Sequence, residues 1–202
     1  MLKQLTGTLI LLTVSASFLT SCASKKADVD MQANLPPEER YVSGKGIYAI
    51  KFGKRPWEFS EMRYGRVYET ANLEAKLGKL KVAFCDLKEL PKPPYDLKKQ
   101  NAILDEDCVK LAETLKATQT EKKNLTVFGC PTRDIRGTLN SGIMLGGQYR
   151  SRLLISDRRL YELSAVGTQQ FVDSPEVNQF FATFDIPKST AESKVEDAKA
   201  AP

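Results

Sequence analysis

The chain predicts an α+β domain, because apolar spacing between residues 47 and 186 switches repeatedly between period two and period 3.6. The hairpin pattern at 66–87 sharpens this: Leu80, Val82 and Phe84 fall on one face, Ala83, Cys85 and Leu87 on the other. Two apolar faces on one strand call for a sheet covered on both sides. The third observation is a helix start at Ser174-Pro175-Glu176, followed by Val177, Phe180, Phe181 and Phe184 on one side, a stripe that needs a sheet to cover.

The elements follow in order. Residues 47–52 form a short apolar run closed by Gly53 and Pro56, an entry strand or loop. Residues 66–75 and 80–87 pair around Leu77-Gly78-Lys79. Pro91, Pro93 and Pro94 exclude a regular helix or central strand and mark a surface connection. A helix beginning near Asp105 places Cys108, Leu111, Ala112 and Leu115 on a buried face and ends by Thr118. Residues 125–128 read as a strand ended by Gly129 and Pro131, and strand character returns at 135–139. Residues 148–155 and 160–166 form a hairpin across Ser156-Asp157-Arg158. Gly142, Gly146 and Gly147 carry no phosphate-loop lysine and serve a turn or bulge.

Composition narrows the function. Two hundred and two residues make one core with flexible ends, and 42% hydrophobic with 27% charged residues is an ordinary globular balance. The absence of histidine removes Ser-His-Asp and Cys-His catalysis and most zinc sites, so no enzyme, metal or cofactor is expected. Glu58 and Glu61 near Trp57 read as surface charges, with nothing converging on them to make an acid pair. A net charge of +5 with both signs interspersed does not argue for nucleic acid.

The first twenty residues carry one cation, Lys3, then an apolar stretch too short and too polar for a membrane span. Leu19-Thr20-Ser21-Cys22 resembles the bacterial lipoprotein lipobox. That resemblance implies cleavage before Cys22 and attachment of fatty chains, palmitate among them, to its thiol and new amino group. Two or three chains, at about 0.8 kcal/mol per buried CH₂, hold a protein stably to a bilayer. Ala23 stands where an aspartate retains many lipoproteins in the inner membrane, so the outer membrane is favoured, with the domain in the periplasm. The expected organisation is signal peptide 1–21, lipidated cysteine and tether 22–44, globular domain 45–187 and disordered polar tail 188–202.

The segment Gly129-Cys130-Pro131-Thr132-Arg133-Asp134, the strand pair with Arg150 and Arg152, Arg159-Leu160-Tyr161-Glu162-Leu163, Gly167 and the closing Ser174 helix resemble the PsbP-like α/β/α domains. Bacterial members often show Gly-x-Pro-Gly-Arg-Glu; here the second glycine is Thr132 and the acid is the shorter Asp134. The resemblance covers roughly residues 67–186. It implies a mostly antiparallel sheet of five to seven strands flanked by helices on both faces, and no catalytic constellation common to the family.

An oxidising envelope permits a disulfide among Cys85, Cys108 and Cys130, with Cys108 joined to Cys85 or Cys130 and the pairing open. Arg133, Arg136, Arg150 and Arg152 are candidate anion-binding residues, since Arg150 and Arg152 share a strand face; Arg158 and Arg159 follow nearby. The expected function is a non-enzymatic, membrane-anchored envelope lipoprotein that binds or supports an envelope protein assembly. The alternative is a receptor for an anionic lipid head group or glycan through the arginine-bearing face.

Overall fold

The computed structural model describes residues 40–90, 96–142 and 144–187. The signal peptide, Cys22, residues 22–39 of the expected tether, residues 91–95 of the proline-rich connection and the polar tail fall outside the described residues, whereas residues 40–44, expected as tether, belong to the domain, with Tyr41–Val42 forming a strand and Tyr41 buried in the core. Within them the chain runs β1 (Tyr41–Val42), β2 (Ala49–Ile50), β3 (Trp57–Arg63), β4 (Arg66–Ala75), β5 (Gly78–Asp86), α1 (Leu97–Thr114), β6 (Ala117–Val127), β7 (Cys130–Leu139), β8 (Gln148–Ser156), β9 (Arg159–Gly167), α2 (Gln169–Val172) and α3 (Pro175–Ala182). Strands β3 to β9 form one antiparallel sheet in the order β3-β4-β5-β9-β8-β7-β6, and β1 and β2 form a separate small ladder.

Helices cover both faces of the large sheet, which is the α+β sandwich expected. On one face Ala71, Leu73, Leu80, Val82, Phe84, Tyr161, Leu163 and Ala165 pack against Phe171, Val177, Phe180 and Phe181 of α2 and α3, with Tyr48, Ile50 and Phe52 beside them. On the other, Ala83, Cys85, Ile135, Tyr149, Leu153 and Leu160 pack beneath Leu104, Cys108 and Leu111 of α1. The alternation read at 80–87 is therefore real: even positions face α3 and odd positions face α1.

Local chemistry sets the boundaries. Ser174 accepts from the Val177 amide and Pro175 opens α3, as its sequence signals require. The β8–β9 turn is Asp157-Arg158, both with positive φ (46° and 61°), the backbone of a tight hairpin turn. Two expectations are corrected, and one stretch without an expected element is a strand. Helix α1 starts at Leu97, well before Asp105, because Asp96 caps it by accepting from the amides of Lys98 and Lys99, and Ile103 and Leu104 extend its buried stripe. Residues 117–118, read as the helix end, and 119–124, given no element, belong to β6, whose side chains are nearly all exposed and so carry no apolar alternation. The stretch 57–63 is strand β3, paired residue for residue with β4.

Candidate functional site

Strand alternation separates the arginines. Arg136, Arg150 and Arg152 stand on the α3 face, whereas Arg133 stands on the α1 face. There Arg133 Nε donates to Asp105 Oδ1 at 2.9 Å and Nη2 to Asn101 Oδ1 at 2.9 Å, fastening α1 to the sheet. The Arg133 hydrogen bond holds the Asp105 carboxyl down at about 2.

The three arginines on the α3 face gather around Asp134 and Phe181. Arg152 Nη2 donates to Asp134 Oδ2 at 2.8 Å, Arg150 Nη1 to Asn178 Oδ1 at 2.9 Å and Arg136 Nη1 to Asp173 Oδ1 at 2.8 Å. The Arg150 guanidinium lies 4.4 Å over the Phe181 ring and that of Arg152 lies 5.5 Å from it. Burial, then the like charge of Arg136, pushes Arg150 below the usual arginine range against the pull of Asp134. Three carboxylates, Asp134, Asp173 and Glu121, and a ring already engage the group, and Arg136, with a side chain 37% exposed, is its most open member. Arg158 and Arg159 sit away from it at the β8–β9 turn, Arg159 Nε donating to Asp86 Oδ1 at 3.0 Å.

The α1 face carries a buried ion cluster that sequence reading did not anticipate. Glu162 in the central strand β9 is 3% exposed, and its carboxylate accepts from Arg63 Nη1 at 2.8 Å and lies 2.7 Å from Lys81 Nζ. Ser164 donates to it at 3.2 Å and is itself bonded to Ser151. The Arg63 guanidinium rests 4.0 Å over the Tyr68 ring. Burial alone would raise Glu162, but Lys81 and Arg63 overcome it and hold the group down at about 2. The cluster neutralises charge inside the sheet, with Glu162 buried and Lys81 its most open member.

The disulfide expectation is overturned: Cys85, Cys108 and Cys130 are free thiols. Strands β9 and β8 lie between β5, which carries Cys85, and the start of β7 at Cys130. Three strand spacings are about 14 Å, twice the reach of a disulfide. Cys108 of α1 lies in the same buried cluster as Cys85 and is not bridged to it. Burial pushes the Cys85 thiol up to about 11 and the Cys108 thiol up to about 12, so neither is a reactive thiolate.

Among the described residues, no group of three or more Cys, Asp or Glu is arranged to hold a metal ion, and no described helix is long and apolar enough to cross a membrane. Glu58 and Glu61 occupy opposite faces of β3 and form no acid pair.

The surface feature that does stand out is β3 itself. Trp57 is 52% exposed and its ring centroid lies 5.2 Å from that of Phe59 on the α1 face; Met62 and Val67, opposite one another on the α3 face, are 70% and 54% exposed. The period-two order Trp57-Glu58-Phe59-Ser60 could have disclosed this strand, but Glu61 stands where an apolar residue is due and Met62 where a polar one is.

No protein-family model matches the chain, and no curated protein matches it. Among solved structures, it is similar to the solution structure of cyanobacterial PsbP (CyanoP) from Synechocystis sp. PCC 6803, with a TM-score of 0.48 and 12% identity over 73% of this chain and 91% of that one. A crystal structure from Bacteroides thetaiotaomicron shows a TM-score of 0.40 and 15% identity over 79% of this chain and 50% of that one.

Proposed function

We propose that this protein is a lipid-anchored envelope protein, held at Cys22 and favouring the outer membrane, whose α/β/α domain is a non-catalytic binding module for an envelope protein assembly. The observation that carries the reading is the concentration of exposed Trp57, Met62 and Val67 on one rim of an otherwise well-packed sheet. The lipobox at Leu19-Thr20-Ser21-Cys22 supports the anchor. Residues 22–39 act as tether, 40–187 as the binding domain and 188–202 as a polar tail. The Cys22→Ser protein is expected to leave the membrane fraction or to stay unprocessed; unchanged partitioning into detergent rules out the anchor.

A second reading follows from the three guanidinium groups on the α3 face: Arg136, Arg150 and Arg152 receive an anionic head group or glycan fragment, without Arg133. Calorimetric titration with inorganic phosphate and with vesicles containing an anionic lipid tests it. Arg136→Ala is expected to weaken binding by about tenfold, and an absence of heat with both probes ends this reading.

A further inference from the structure

We propose that β3 is an addition edge, along which an extended segment of a partner protein pairs with Trp57–Arg63 and lengthens the sheet by one strand. The segment alternates apolar residues with lysine or arginine. This inference rests on the assembly reading above and names the partner's mode of docking.

The sheet has two outer strands, and they are built differently. Strand β6 has the features that discourage pairing: Lys122 and Lys123 at its middle, a register break between Gln119 and Glu121, and an almost wholly polar exposed surface. Strand β3 has none of these. It contains no lysine, proline or bulge, and each of its residues is in regular register with β4. Among the described residues, no strand pairs with its outer side.

Exposed apolar groups flank this edge on both faces of the sheet, Trp57 beside Phe59 on the α1 face and Met62 beside Val67 on the α3 face. A ligand lying on one face would account for only one of these pairs. An added strand contacts both, because its side chains alternate between the faces at cross-strand distance from those of β3. Charge selects the partner's composition. Glu58 and Glu61 point to opposite faces, while the one cation of the strand, Arg63, bridges Glu61 at 3.0 Å and the buried Glu162 at 2.8 Å, so its charge is shared and the two carboxylates of the strand outweigh it. The edge is therefore acidic on a chain whose net charge is +5. A second copy would lay an identical acidic strand alongside it, so a basic strand is the better electrostatic match.

Hydrogen exchange of the full chain, with and without a capped peptide of alternating valine and lysine, tests the proposal. The peptide is expected to slow exchange of the outward-pointing amides within residues 57–63, those not bonded to β4, by about tenfold. The same peptide with methylated backbone nitrogens, and a Trp57→Lys/Met62→Lys chain carrying the lysines that β6 has, are expected to show no such slowing. Both substituted side chains face solvent, and an unchanged thermal melt verifies that the variant folds. Unchanged exchange at saturating peptide, an equal effect in the variant, outward-pointing amides already protected in the free chain, or a native dimer that the variant dissolves would each overturn the proposal. Photo-crosslinking in cells from positions 60, 109 and 122 separates it from the broader reading. Adducts only from 109 or 122 sink the edge and leave the assembly standing, whereas none from any position sinks both.

Discussion

Glu162 shows how this molecule tolerates an ionised side chain inside its sheet. Removing a carboxylate from water is costly, and two cations with short contacts offset the cost only while all three groups are present. Glu162→Gln leaves Arg63 and Lys81 without their shared partner and is expected to destabilise the domain by about 3–5 kcal/mol, measured by denaturant unfolding at neutral pH. The native group titrates near 2 against an ordinary glutamate value of 4.5. Its contribution is therefore complete above 4.5 and disappears as pH falls toward 2. The stability gap between the parent protein and the Gln variant should narrow across that window, and a constant gap would show that the ion cluster is not its source.

The elements depend on close approaches that only particular residues allow. Gly78 of β5 and Gly167 of β9 are cross-strand partners, and the Phe171 ring of α2 lies on them. A β-carbon at Gly78 would fall 2.3 Å from Phe171 Cδ1 and 2.5 Å from the Val166 carbonyl oxygen. Gly78→Ala should destabilise by about 1–3 kcal/mol in thermal or denaturant unfolding. Adding Phe171→Leu should recover part of the loss but not all of it, because the carbonyl contact remains. Complete recovery would mean that the ring alone sets the limit.

Legibility in the sequence followed the same physics element by element. The hairpins at 66–87 and 148–167 and helix α3 were readable because buried faces force alternation or a helical stripe, and their turns and cap use specialised residues. Strand β3 and residues 117–124 of β6 were not, because an outer strand has fewer neighbours and its pattern is diluted by solvent-facing residues. The first turns of α1 were hidden for a related reason: Leu97 is 62% exposed and lysines follow it, so only the Asp96 cap marks the start. Of the arginine group, the shared face of Arg150 and Arg152 followed from period two, whereas the separation of Arg133 from Arg136 needed the faces of β7 to be assigned.

Strand order governs the behaviour of the whole molecule, beginning with its thiols. Inserting β9 and β8 between β5 and β7 sets Cys85 apart from Cys130. A Cys22→Ser protein denatured without reductant should titrate three thiols, and the folded protein should expose chiefly the half-buried Cys130. A count of one after denaturation would reveal a bridge and refute the separation. The same order buries β9 at the centre, where Glu162 needs cations from β3 and β5, and leaves β3 and β6 as the two rims.

From its sequence alone this protein determines which face each central strand presents, where its hairpins turn and how its last helix begins, because those features follow from alternation and hydrogen bonding between near neighbours. The tertiary structure alone decides that β9 and β8 enter between β5 and β7, that the cysteines stay apart and that β3 is left as the apolar, acidic rim. Those outcomes depend on which distant apolar faces bury each other best, and no local spacing encodes that choice.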